Sequence, residues 1–83
     1  MDTLQELGQA IATKRRALGF KQSAVAVQSG IAAETLSRFE QGRVSEFGAR
    51  KLMALLSVLG MEIEFRERGA RGSLDELRKE RGE

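Results

Sequence analysis

The sequence predicts a mainly α fold: four helices, then one C-terminal β-strand that pairs across a homodimer. Three observations carry this expectation. In QSAVAVQSGIAAETLSRFEQG, residues 22–42, two short apolar patterns flank Gly30, with Val25 and Ala26 before it and Ile31, Leu36 and Phe39 after it. That pattern describes two brief helices joined by a tight turn, the glycine supplying a backbone conformation that other residues resist. Further on, Leu52, Leu55, Leu56 and Leu59 recur at i, i+3, i+4, i+7, the core stripe of a longer helix. The period then changes, because Met61, Ile63 and Phe65 alternate with Glu62, Glu64 and Arg66. Strict alternation marks a half-buried strand.

The elements follow in order. Thr3 is a plausible N-cap for a first helix over residues 4–18, with Glu6 completing a capping box. Leu4, Leu7, Ile11 and Leu18 mark its buried stripe; Gly19 ends it, and Phe20 turns the chain inward. The second helix covers residues 22–29 and the third residues 33–41, closed by Gly42. Both start poorly, since Lys21 and Ala32 stand at their caps and a missing cap costs about 1 kcal/mol. Ser45 is expected to cap a fourth helix over residues 46–59, ended by Gly60, with Gly48 inside it at a close helix crossing.

Composition narrows the function. The 83 residues have room for one domain. With no cysteine and no histidine, disulfides, thiolate metal sites and the usual neutral-pH general base are excluded, so neither a cofactor, a metal site nor an enzyme is expected. The N-terminal MDTLQEL lacks the apolar region of a signal peptide, and the apolar run at residues 52–59 is too short to span a bilayer, so a cytoplasmic location is expected. Residues 14–51 hold eight bases (Lys14, Arg15, Arg16, Lys21, Arg38, Arg43, Arg50, Lys51) against three acids, Glu34, Glu40 and Glu46. This local excess suits contact with phosphates, although solvated surface cations are the plainer reading.

Gln22, Val25-Ala26, Gly30-Ile31, Thr35-Leu36-Ser37-Arg38-Phe39-Glu40 and Gly42, in that order and spacing, resemble the helix-turn-helix of Xre (Cro/C1-type) transcriptional regulators. The resemblance covers about residues 4–60 and implies a lambda repressor-like domain that binds double-stranded DNA. It makes the third helix the recognition helix, with Ala33, Glu34, Thr35, Ser37 and Arg38 as base-contacting candidates. Arg38 suits guanine O6 and N7, Glu34 a cytosine amine, and Ala33 only a thymine methyl. It makes Lys21, Gln22, Ser23 and Arg43 phosphate contacts, Gln22 through its side chain and the adjacent helix N–H groups. Arg15 and Glu40 occupy the positions of a structural ion pair. Against Arg38 as a reader stands a simple surface pair between Glu34 and Arg38 at i, i+4.

A lone strand leaves its backbone groups unpaired, and no second strand-like run exists in the chain. The remedy expected is the same strand, Met61, Glu62, Ile63, Glu64, Phe65 and Arg66, of a second copy across a two-fold axis. Centred on Glu64, that register sets Glu62 opposite Arg66 and Ile63 opposite Phe65; a short final helix is the rival. Residues 1–66 then form the DNA-binding and dimerisation domain and residues 67–83 a flexible charged tail, in which Ser73 could cap a turn or two of helix. The ending LMALLSVLGMEIEF resembles the antitoxins of Hip-type modules, which implies an autorepressor with a kinase-like toxin as partner. Alternatives are a phage-type repressor without a toxin, a protein-interaction adaptor of helix-turn-helix shape that does not bind DNA, and a plain helical bundle in which the Gly30 turn only packs helices. No membrane partner or small-molecule ligand is expected.

Overall fold

A computed structural model of the 83-residue chain describes residues 3–68. They contain four helices: α1 (Leu4–Ala17), α2 (Gln22–Ser29), α3 (Ala33–Glu40) and α4 (Ala49–Val58). At the start of α1 the Glu6 N–H donates to Thr3 Oγ1 at 3.0 Å, and the Thr3 hydroxyl donates to Glu6 Oε1 at 3.2 Å. Neither Lys21 nor Ala32 supplies a side-chain cap to α2 or α3. The C-terminal ends share one device. After α1 the N–H of Gly19 reaches Arg16 O and that of Phe20 reaches Arg15 O, and the same pair of bonds recurs at Gly30, Gly42 and Gly60. This 5→2 and 6→1 closure needs a left-handed residue just past the helix.

Packing pairs α1 with α3, and α2 with both α3 and α4. The core is Ile11, Ala12, Val25, Ala26, Ile31, Leu36, Phe39, Leu55, Leu56 and Leu59, with Leu4, Leu7, Val44, Phe47, Leu52, Val58 and Met61 packed around it. The close crossing lies between α1 and α3. A Cβ added to the buried Gly8 would stand 2.0 Å from the carbonyl oxygen of Phe39. That distance leaves room for hydrogen only, so Gly8 lets the two backbones touch.

Gly48, the expected crossing residue, has no atom within 4 Å of an added Cβ and sits at the N-cap of α4 with φ −63°. Helix α4 thus starts three residues later than the sequence suggests. The reason is Phe47, whose ring stacks on that of Phe39 with centroids 3.9 Å apart and planes 3° from parallel. In a helix continued back to Glu46, Phe47 would stand roughly 80° to 140° around from Leu52, Leu55 and Leu59. Leaving residues 46–48 unwound lets the ring turn onto the core. Two other expectations need correction. Leu18 lies outside the buried stripe, 41% exposed, and Phe20, instead of turning inward, is 42% exposed at the rim of a groove.

Beyond α4 the Met61 N–H donates to Leu56 O, and among the described residues, residues 62–67 make no backbone–backbone hydrogen bond. No strand is present among the described residues, and residues 61–67 carry no regular secondary structure. Met61 packs on the core, whereas Ile63 is 44% and Phe65 93% exposed. Arg66 Nε lies 3.4 Å from Glu64 Oε1 on the surface. From residue 69 onward, the expected charged tail lies outside the described residues.

Candidate nucleic-acid interface

Helices α2 and α3 meet through Gly30, at φ 70° and ψ 28°. Its N–H bonds Val27 O and that of Ile31 bonds Ala26 O, so the chain reverses in three residues and Ile31 drops into the core at 6% exposure. At the end of α2 Ser29 donates its hydroxyl to Val25 O at 2.7 Å. On the far side of the turn, Leu36, Phe39 and Glu40 face inward. This orientation is what aims the opposite face of α3 outward.

That face carries the five candidate base readers. Ala33, Glu34 and Arg38 are exposed; Thr35 and Ser37 are half-buried. Ser37 Oγ accepts from Gln41 Nε2 at 3.3 Å. Among the described residues the side chains of Arg38 and Glu34 make no hydrogen bond or ion pair, so the alternative i, i+4 pair between them is not formed. The guanidinium of Arg38 therefore stands in solvent with all its donors available.

Among the phosphate candidates, Lys21, Ser23 and Arg43 are exposed and flank the two ends of the α2–α3 unit. Gln22 is half-buried, and its Nε2 donates to Glu40 Oε1 at 2.9 Å. An amide nitrogen carries two N–H donors, so one remains free beside the N-terminus of α2. The first four N–H groups of a helix have no partner within it and favour anions.

Beneath this surface lies a closed polar network. Arg15 grips Glu40 with Nε to Oε2 at 2.8 Å and Nη2 to Oε1 at 2.9 Å, and its Nη1 donates to Phe20 O at 2.9 Å. Both residues are buried, Arg15 at 9% and Glu40 at 7%. The hydrogen bonding that Arg15 donates to Glu40, opposed by burial and reinforced by the carboxylate's charge, raises the Arg15 pKa above its ordinary value. Bidentate geometry of this kind is both strong and directional. The network links α1, the loop after it, the start of α2 and the last residue of α3, fixing α3 against the helix that presents Gln22. The link from Gln22 to Glu40 is absent from the sequence reading, and so is the anchor on Phe20 O. No periodic signal could have revealed either, since both are set by the angle at which helices cross.

Burial of Arg15 and Glu40 also sharpens the charge pattern. Each cancels the other internally, so the excess over residues 14–51 rests on the other seven bases and two acids. Of those bases Arg16, Lys21, Arg38, Arg43, Arg50 and Lys51 are exposed and Lys14 is half-buried. Among the described residues no helix is long and apolar enough to cross a membrane.

Comparison with known proteins agrees with this geometry. A family model described as a helix-turn-helix domain matches residues 3–67, more than three quarters of the chain. No curated protein matches it. With the glycine turn, the outward α3 and the family match falling on the same residues, the chain belongs to the helix-turn-helix domain family, which supports a DNA-binding regulator.

Proposed function

We propose that the chain is a sequence-specific, non-enzymatic regulator of Xre (Cro/C1) type, acting in the cytoplasm as a dimeric repressor on an inverted-repeat operator. The observation that carries this reading is the face of α3. Ala33, Glu34, Thr35, Ser37 and the unpaired Arg38 share it, and exposed cations lie at both ends of the α2–α3 unit. An α-helix with its side chains is about 10–12 Å across, which matches the width of the B-DNA major groove. Two subunits related by a two-fold axis would offer such helices about 34 Å apart, one turn of B-DNA.

Within that reading, Arg38 reads a guanine, Glu34 a cytosine amine and Ala33 a thymine methyl, while Lys21, Gln22, Ser23 and Arg43 hold the backbone. The ending over residues 52–65, with its alternating Met61–Arg66 segment, supports the narrower assignment to an autorepressing antitoxin of a Hip-type module. Its protein partner would then be a kinase-like toxin. A kinase-like reading frame beside this gene supports that partner, and its absence favours a phage-type repressor.

The test is a titration of the purified protein against operator and random duplexes at several salt concentrations. Lys21 and Arg43 in each of two subunits give a slope of log K against log salt of about −3 to −4. A flat response would replace this reading with that of a protein-interaction adaptor.

A further inference from the structure

Helices α2 and α4 leave an open groove of about 300 Å³ between them, lined by Phe20, Ala24, Val25, Gln28 and Val58. Four of those five side chains are apolar. One of the lining residues, Val58, is the last of α4 and stands three residues before Met61. Nothing within the described subunit fills it. The same subunit carries an exposed apolar ring, Phe65 at 93% exposure, on a segment, residues 62–67, whose backbone bonds no other described residue.

We propose that this groove receives Phe65 of a second copy of the chain; the inference rests on the dimer reading above. Met61 is held by its bond to Leu56 O and by the core, so an extended chain carries Phe65 about 13 Å onward from it, off its own domain. An antiparallel partner segment centred on Glu64 runs the other way. In that register Phe65 comes opposite Ile63 of the second copy, about 7 Å along the strand from the second copy's Met61. It is then on the same face as that Met61 and near the end of that copy's α4, whose last residue, Val58, lines the groove. Charge favours a second copy as the occupant, because Glu62 and Arg66 come opposite one another twice in this register, against the single like-charged pair at Glu64. The pairing also needs the groove. A two-stranded ribbon alone is marginal in water, and its apolar face, Met61, Ile63 and Phe65 from each chain, must lie on something.

The experiment uses the full chain carrying Phe65→p-benzoylphenylalanine, mixed as heavy- and light-isotope copies, irradiated and mapped by mass spectrometry. Cross-links between a heavy and a light copy at Phe20, Ala24, Val25, Gln28 or Val58 are expected. Cross-links within one copy, to its own groove or to Leu74 and Leu77, overturn the proposal. So do heavy–light links confined to Ile63 and its neighbours, although these would leave the ribbon dimer standing. A monomer at micromolar concentration by sedimentation removes the dimer reading and this inference together. In parallel, Phe65→Ala should leave the helical circular dichroism unchanged and raise the dimer dissociation constant by at least about a hundredfold, two buried rings being lost. Phe65→Leu should fall between. An unchanged dissociation constant for Phe65→Ala refutes the docking.

Discussion

Glu40→Ala tests how α3, the helix proposed to read bases, is mounted. The carboxylate is 3% exposed in its side chain and accepts from Arg15 Nε, Arg15 Nη2 and Gln22 Nε2 at 2.8, 2.9 and 2.9 Å. Without it the Arg15 guanidinium, 11% exposed, keeps Phe20 O as its one acceptor at 2.9 Å. Removing one partner of a buried pair costs about 3–5 kcal/mol. The lower end applies, since Arg15 retains a carbonyl and an edge to water. At about 4–8 °C per kcal/mol for a domain of this size, the Tm should fall by about 12–24 °C. Thermal unfolding followed by circular dichroism at 222 nm measures it. An exposed pair would lose at most about 1 kcal/mol, so a drop under about 5 °C would mean that the network is not what holds α1 to α3. The control is Arg15→Met with Glu40→Leu, which removes both charges and should recover most of the loss. The sign of the pH dependence follows from Arg15. Its pKa is raised in the fold, so its stabilisation is whole below the unfolded value and is lost only in strong alkali. Melting between neutral and mildly alkaline pH should therefore show no transition due to Arg15.

Gly8→Ala should destabilise by about 1–3 kcal/mol or more, because the new Cβ meets the backbone of Phe39 and not a side chain that can swing away; chemical denaturation measures it, and a neutral result would disprove the close crossing. Ala32→Ser should stabilise by about 1 kcal/mol by capping α3, read as a rise in Tm, since Ala32 already has the extended backbone of a cap (φ −60°, ψ 137°). Arg38→Ala should remove preference at one base pair, worth about 1–3 kcal/mol, in a binding-site selection. Lys21→Ala should instead weaken every duplex alike and make the salt slope shallower by about 1. If both leave operator affinity unchanged, the docking face lies elsewhere.

The network around Glu40 joins stability to function. Glu40 ends the helix proposed to read bases and holds the amide of Gln22, proposed to grip a phosphate. A shift of α3 against α1 would therefore move both contacts together. Rigid mounting of this sort fixes the register in which base-edge and backbone contacts are made. The absence of side-chain caps on α2 and α3 is offset by this network and by the shared core under Phe39.

What the sequence determined by itself was local. Four helices, the Thr3 cap, the four closing glycines and the inward positions of α3 are each decided within about four residues, the range over which helical hydrogen bonds and side-chain periods operate. The family pattern reached further only where two positions, Arg15 and Glu40, have a recurrent pairing. Tertiary structure decided the rest. Phe47 stacks on Phe39 and so delays α4 to Ala49; Gly8, not Gly48, stands at the crossing; Gln22 bonds a carboxylate 18 residues away; Phe20 borders a groove rather than entering the core. Each depends on the angle and distance between helices, which emerge only when all the apolar faces are satisfied at once. Alternation at Met61–Arg66 is a local property of the sequence, whereas the unbonded backbone beyond Met61 follows from α4 ending at Val58 and Met61 closing it onto Leu56 O.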